Sequence, residues 1–417
     1  MLQAHLSLPP RVDGRKSGKA REKRWCEEPC GEPWKDQRSG DLCQKWRRLL
    51  YGWKDETRVF GSWHSLEFRK RFGISRQVFE DLYEATAQQD QFKDKLFGDG
   101  RGCPTVPLRQ KLAAAIFILT KGVSYQTAAT LAGIGTATVQ KFFPLWLQWA
   151  REDLVPKHVY LPSREHLASI MQDYAQLGFP GACGSTDGVH FGWNKCPHGQ
   201  KQANIGEKKY PSRVFNITVA HNTEILYVPQ NSMPGAKNDK TCAYTHELLM
   251  GLYNGTLWAD VPYELYDTDG KKFTLRGPYS ITDGGYHHWR IMQFPLKYCV
   301  PGSADYRQSK RLESVRKDVE CTFGRSFKGR FRVLAGKINY PLQELDNMVH
   351  VCSMIHNMML RHDKLDTIGR RDSDWKAPKD DADKPAQYAA ASQPPDSPTR
   401  VERDPGWNIL HKQVAPT

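Results

Sequence analysis

The chain has 417 residues, with 60 Lys plus Arg against 46 Asp plus Glu and a formal charge of +14 at pH 7. That length can bury a large core in two or three units, and the cationic surplus favours a polyanionic partner, nucleic acid before a lipid surface. No apolar run approaches the ~18 residues of a membrane span, the N-terminus lacks a signal-peptide core, and the ten cysteines form no paired framework. Together these features exclude a membrane protein and point to a reducing compartment, the cytosol or nucleus.

Residues 1–45 are rich in Pro, Gly and charge, and seven basic residues face two acidic ones between Arg11 and Arg24. This is the composition of a basic disordered tail, suited to anionic polymers or to service as a nuclear address. Residues 46–160 read as a helical region. Leu66, Phe68 and Phe72, then Val78, Phe79, Leu82 and Tyr83, make two amphipathic segments, with Ser75 as N-cap of the second. LRQKLAAAIFILTKG is a helix ending at Gly122, SYQTAATLAGI starts on the cap Ser124 and ends at Gly133, and GTATVQKFF starts on Thr136 and is kinked or stopped by Pro144. Three helices with Ala128 and Ala129 inside the second and Gly133 in a tight turn resemble a helix-turn-helix. In that arrangement Thr136, Thr138, Gln140 and Lys141 would face a DNA groove. The same pattern also suits an ordinary helical bundle.

Beyond Pro180 the pattern turns to strands. CGSTDGVHFGW is a short strand in which Asp187 precedes Gly188. SRVFNITVAHN and TEILYVPQ follow as a meander, MPGAKNDKTCAYTHELLMGLYNG reads as turn and helix, and YSITDGGY is a strand that stops at Asp283. Next comes a basic helix, residues 303–334, with nine Lys/Arg between Arg307 and Arg332 against Glu313, Asp318 and Glu320. Val315, Val319 and Phe323 form its apolar stripe, and Glu320 lies beside that stripe, where a desolvated carboxylate needs a partner. Taken alone, Glu320 would pair with Arg316 or Lys317 at i−4 and i−3. YPLQELDNMVHVCSMIHNMMLRH makes a final amphipathic helix. Residues 363–417 are Pro-rich with few aliphatics, a second disordered tail. Cys196 with His198, and Cys242 with His246, only mimic zinc spacing, and Cys26, Cys30 and Cys43 are no closer to it.

An Asp-Gly at a strand end is usually just a turn. The order strand-Asp, two strands, helix, strand-Asp, helix-Glu within a basic chain is more specific. It fits an α/β domain in which three carboxylates hold two divalent cations for attack on a phosphodiester, with Mg²⁺ or Mn²⁺ suited to oxygen ligands. Asp187 would bridge both ions, and Asp283 and Glu320 would each complete one coordination shell. Lys208, Lys209, Arg316, Lys317, Arg325, Lys328 and Arg330 are the candidates for holding phosphates.

The blocks GSTDGVHF, NSMPGAKND, YSITDGGY and VECTFGRSFKGRFRVL, with the later IHNMM, resemble the PIF/Harbinger family of DNA transposases and its domesticated relative, the Harbinger transposase-derived nuclease. The resemblance covers about residues 184–359. It implies a ribonuclease-H-like mixed sheet flanked by helices over residues 161–362, preceded by the all-α helix-turn-helix-like region. It also implies catalytic and metal-binding roles for Asp187, Asp283 and Glu320, with 36 residues between the last two. The sequence departs from the family in two places. Asn238 precedes Asp239 where relatives carry His-Asp, leaving Asp239 an additional metal-ligand candidate, and Lys208-Lys209 replaces an Arg-Lys pair. The implied activity is cutting of transposon ends and transfer of the freed 3′-hydroxyl strand to target DNA, in the nucleus, by a homo-oligomer assisted by a Myb-like DNA-binding protein. The alternatives are a transposase-derived DNA-binding scaffold without catalysis, or a cellular nuclease without strand transfer.

Overall fold

A computed structural model describes residues 63–93, 106–267 and 269–364; the two expected tails lie outside these except for residues 363 and 364. Two compact units divide the chain. The first reaches Ile118 and resumes over Ser124–Phe143, and the second takes Leu119–Val123 and everything from Pro144 onward. Among the described residues no helix is long and apolar enough to cross a membrane.

The first unit is helical. Helices α1 (Trp63–Phe72) and α2 (Arg76–Ala87) are the two amphipathic segments, and the Ser75 hydroxyl accepts from the Val78 amide at 3.3 Å. Phe68 stacks on Phe72 with centroids 4.3 Å apart, and Phe117 meets Phe72 edge-on at 5.0 Å. Such contacts add to burial of the apolar face, which is what holds short helices together. Helix α3 (Leu108–Lys121) contributes Arg109, which donates to Glu80 at 2.8 Å and lies over the Tyr83 ring. Helix α4 (Tyr125–Ala132) is capped by Ser124, which accepts from the Thr127 amide at 3.1 Å, and it ends at Gly133 with φ +64°. A left-handed C-cap is open to glycine at little cost.

Helix α5 (Thr136–Trp149) differs from expectation: it runs through Pro144 and continues into a π-helical segment, Ala150–Leu154. Proline forfeits one backbone hydrogen bond and adds a clash, about 3 kcal/mol. Phe143, Trp146 and Leu147 around it are all fully buried, and side chains of that size contribute roughly 1.5–3 kcal/mol each. Packing therefore outweighs the break.

The second unit is built on a seven-stranded mixed sheet, the long strand β1 (Ala182–Trp193) at its centre. Strands β2 (Ser212–Val219) and β3 (Ile225–Tyr227) follow it antiparallel, as the meander predicts. The two-residue β4 (Met233–Pro234) pairs with β2. Strands β5 (Pro262–Tyr266) and β6 (Lys272–Arg276) form a separate hairpin that the sequence reading did not foresee. On the other side of β1 lie the parallel strands β7 (Tyr279–Ile281) and then β8 (Met292–Gln293), giving the order β3-β2-β1-β7-β8, and β9 (Lys337–Ile338) pairs with the far end of β1.

Helix α6 (Arg164–Gln176), also unforeseen, packs with α7 (Asp239–Ala243), α8 (Glu247–Tyr253) and α9 (Ala304–Cys321) against this sheet. One buried cluster unites Leu167, Ile170 and Tyr174 of α6, Leu248 and Leu249 of α8, Tyr279 and Ile281 of β7, and Leu312 and Val315 of α9. The last helix, α10 (Leu342–His362), is not amphipathic as expected. Every residue from 345 to 360 is buried. Its polar members have partners: Asp346 accepts from the Ser232 hydroxyl at 2.7 Å, and the Asn357 amide group bonds both backbone groups of Ile225. A helix surrounded by protein must place its polar side chains this way, because each unpaired buried group costs about 1–3 kcal/mol.

Candidate catalytic site

Between β2, β1 and β7 runs a buried hydroxyl ladder. The Thr186 hydroxyl lies 2.7 Å from that of Thr218 and 2.8 Å from that of Ser280, and Thr218 lies 3.2 Å from Nε2 of His246. The ladder locks three strands in register directly beneath Asp187. The strand does not stop at Asp187-Gly188, as the sequence suggested; β1 continues to Trp193 because β2 pairs with it from Ser185 to Gly192. On the opposite edge, pairing with β7 ends at Ser185↔Ile281 and pairing with β9 begins only at Gly192. Asp187 thus sits mid-strand, at a gap in the sheet. Asp283 lies just past the end of β7, where the same gap opens.

Alternation along β1 sends Asp187 toward one face of the sheet and the Gly188 position toward the other. On the Asp187 face, α9 brings Arg316, whose guanidinium donates to Asp187 at 3.0 Å and to Glu320 at 2.6 Å. Glu320 therefore has the local partner expected at i−4, and the same arginine ties it to an acid 133 residues earlier in the chain. Glu320 is half-exposed rather than desolvated, while Val315, Val319 and Phe323 of the stripe are all buried as expected. On the Gly188 side, Asp239 and Asn216 close in, and a β-carbon at Gly188 would lie 3.2 Å from an oxygen of each. One at Gly285 would lie 2.9 Å from Asp239 and 3.0 Å from Asp283. These two glycines therefore leave room for Asp239 to approach Asn216 at one position and Asp283 at the other.

The electrostatics carry the mark of that crowding. Burial first, and the charges of Asp283 and Asp239 after it, push the Asp187 carboxyl up to about 6 against the opposing pull of Arg316. Burial and Asp283 likewise raise Asp239. Asp283, Glu320, Arg316 and Lys317 line a single cleft of about 560 Å³ together with Lys297 and Tyr298.

The other expected phosphate contacts are scattered. Lys208 and Lys209 lie on an exposed loop, with Lys208 near enough to His190 and Lys328 to depress both. Lys328 is half-buried and donates to the His190 carbonyl at 2.8 Å, and Arg330 turns inward to Nδ1 of His356 at 3.3 Å. The side chain of Arg325 lies outside the described residues. Thr136 and Thr138 are half-buried and Gln140 and Lys141 exposed on the first turns of α5, in the first unit. His246 accepts from the Leu249 amide and faces Thr218, so it is committed to structure rather than to a zinc ion with Cys242. Cys26, Cys30 and Cys43 lie outside the described residues.

A family model described as plant transposon protein matches residues 157–367, the stretch that carries Asp187, Asp239, Asp283, Arg316 and Glu320. This chain belongs to that transposase-related family. No curated protein and no solved structure matches it.

Among the described residues of this transposon protein, no three His, Cys, Asp or Glu side chains stand close enough together to share a metal ion. The guanidinium of Arg316 fills the space between Asp187 and Glu320 and supplies the neutralising charge itself. The donor chemistry nevertheless fits a hard divalent cation. Every candidate ligand is a carboxylate. Around them the buried side-chain amide of Asn216 and the Tyr286 hydroxyl have no hydrogen-bond partner, a deficit that a hydrated ion would meet. Sequence reasoning missed Arg316 as the link between two acids, because nothing local to α9 announces a partner on β1. It also missed Asn216, whose side chain gains meaning only beside Gly188.

Two expectations follow from this geometry. Arg316→Gln removes the charge shared by Asp187 and Glu320. With chelator present it should cost roughly 2–3 kcal/mol, less than a fully buried pair because Glu320 is half-exposed. The same change should enlarge the rise in melting temperature produced by Mn²⁺, since the competing cation is gone. Gly285→Ala presses a methyl group on Asp239 and Asp283. It should lower the Mn²⁺ affinity about 10-fold with little change in the metal-free melting temperature, as read by thermal shift titration.

Proposed function

We propose that this protein is a DNA transposase of the PIF/Harbinger kind, in which a ribonuclease-H-like second unit cuts DNA and the helical first unit helps bind it. The observation that carries the reading is Arg316 holding Asp187 and Glu320 together at the cleft that Asp283 also lines, acids 96 and 37 residues apart in sequence order. In this reading Asp187, Asp283 and Glu320, with Asp239 in reserve, would hold Mg²⁺ or Mn²⁺. When bound, such a pair of ions supplies Lewis acidity for the charge that develops on the attacking and leaving oxygens.

The protein's own groups do the rest. The Asp187 and Asp239 carboxyls, raised above the usual range first by burial and then by neighbouring acids, would be kept ionised by the cations they hold. Lys297 and Lys317 on the cleft walls hold the phosphates on either side of the scissile bond. Arg316 swings from Glu320 to the nonbridging oxygens as the phosphodiester enters. Hydrolysis forms a water-oxygen bond to phosphorus and breaks the bond to the 3′-oxygen, leaving a free 3′-hydroxyl. In strand transfer that hydroxyl forms the new bond to a target phosphorus, and the target's own 3′-oxygen leaves. Lys208, exposed and near His190, is the remaining candidate for a phosphate beyond the cleft, whereas Lys328 is bonded to the His190 carbonyl.

The test is a joining assay with full-length protein, Mg²⁺ or Mn²⁺, a labelled pre-cut duplex taken from DNA flanking the coding region, and a plasmid target. Labelled plasmid supports the transposase reading. Nicked plasmid without joining would identify a nuclease, and binding without either product would identify a non-catalytic scaffold.

A further inference from the structure

The loop between β8 and α9 holds a side chain that none of the chemistry above employs. Tyr298 is 91 % exposed, and its backbone sits at φ +63°. A β-carbon disfavours that region, and residues held there without compensating packing mark functional positions more often than ordinary surface. Among the described residues no aromatic ring stacks on Tyr298 and no cation lies over its face. Two residues on, Val300 is 73 % exposed.

The loop is nonetheless anchored. The Leu296 amide donates to the Ser309 hydroxyl at 3.0 Å, the Cys299 thiol reaches the Leu296 carbonyl at 3.6 Å, and the Ser303 amide donates to the Val300 carbonyl at 3.0 Å. Its base is tied to the first turns of α9 while the Tyr298 ring projects. Tyr298 lines the same cleft as Asp283 and Glu320, as do Lys297 and Lys317. An apolar ring face beside cations, at the mouth of an acid-lined cleft, matches what a single nucleotide offers, a flat base and a charged phosphate.

We infer that Tyr298 is a stacking residue for an unpaired nucleobase at the end of the DNA held in this cleft. The inference rests on the transposase reading and adds to it that the cleft takes an unpaired or frayed end in preference to an intact duplex. The anchored loop already presents the ring, so little further ordering is needed on binding. The lysines on either side hold the flanking phosphates as point charges, which fixes the base over the ring without reading its identity. Stacking tolerates every base, so the preference is for strand structure and not for sequence.

The experiment uses full-length protein without divalent cation and two DNA probes of the same sequence. One is a blunt duplex and the other carries a short 3′ overhang containing 2-aminopurine, whose fluorescence falls on stacking. The wild type should bind the overhang more tightly and quench it. Tyr298→Ala should lose roughly 5- to 100-fold in affinity for the overhang and abolish the quench, with blunt-duplex affinity unchanged. Tyr298→Phe should behave as wild type. Equal binding of the overhang by Tyr298→Ala and wild type overturns the inference and leaves the transposase reading standing. A parallel loss for blunt and overhang DNA overturns it too, since the residue would then serve the duplex or the fold. A wild type that binds neither probe removes the transposase reading, and this inference with it.

Discussion

Asp187→Asn is expected to reduce Mg²⁺-dependent DNA nicking by about 10³-fold or more, with Asp283→Asn and Glu320→Gln close behind. The asparagine keeps the shape of the side chain, and its single oxygen can still accept from either the Gly188 amide or Arg316, which bond separate oxygens of the carboxylate, so the fold should survive with a modest drop in melting temperature. What it loses is a negative oxygen at the gap between β7 and β9. Because the acids act as one constellation, the double variant Asp187→Asn/Asp283→Asn should be scarcely slower than either single one. Lys317→Ala should differ in kind, weakening DNA binding while leaving the rate at saturation largely intact. The check is a plasmid-nicking time course with each purified variant and a thermal melt of the same samples. Any of the three acid variants retaining a tenth of wild-type activity would remove that residue from the catalytic set.

Acid should unfold the second unit well before its carboxylates protonate in bulk. His246, His350 and His356 are buried and neutral; burial pushes the first down to about 3 and the other two to about 4, from an ordinary 6.5. Hydrogen bonds fix the neutral state. Nε2 of His356 donates to the Thr223 carbonyl at 2.9 Å while its Nδ1 accepts from Arg330 at 3.3 Å. Nδ1 of His246 accepts from the Leu249 amide at 3.2 Å. The charge of Arg151 further depresses His350, as that of Arg330 does His356.

The sign follows from linkage. With folded values below the unfolded one, the unfolded chain binds more protons as pH falls below about 6.5, so stability present above that pH is lost on the way down. At 1.36 kcal/mol per unit, His350 and His356 would each forfeit on the order of 3 kcal/mol by pH 4, a large share of the 5–15 kcal/mol a domain possesses. Denaturant melts between pH 7 and pH 4.5 should show a steep decline, and His350→Gln/His356→Gln should flatten it whatever its effect at pH 7. An unchanged slope in the double variant would mean that other groups govern acid unfolding.

The pattern of elements was legible wherever it was written in local chemistry. Ser75 and Ser124 were readable as caps because a serine hydroxyl three residues ahead of an amide is a self-contained device, and Gly133 ends its helix for an equally local reason. The meander of β1, β2 and β3 could be read from alternation alone. Pro144 misled because its penalty is local while the burial of Phe143, Trp146 and Leu147 that overrides it is not. The end of β1 was misplaced at Gly188 for the same cause: the glycine is a local break, and eight residues of pairing with β2 carry the strand past it. The helix α10 was taken for amphipathic because Asp346, His350 and Asn357 are polar. Only neighbours from distant segments make polar side chains affordable at buried positions.

For the site, residue types and their order came from the chain itself, because strand, glycine and carboxylate must be adjacent in sequence to be adjacent in a turn. Asp187, Asp283 and Glu320 could be named in that way, and so could the excess of positive charge around them. Folding alone settled that one arginine would hold the first and third of these acids, that Asp239 would come up under Gly188 and Gly285, and that Arg330 would face a buried imidazole instead of solvent. Those outcomes depend on which faces of α7, α9 and α10 are pressed to the sheet, a matter of packing across more than a hundred residues that no neighbouring pair of side chains encodes.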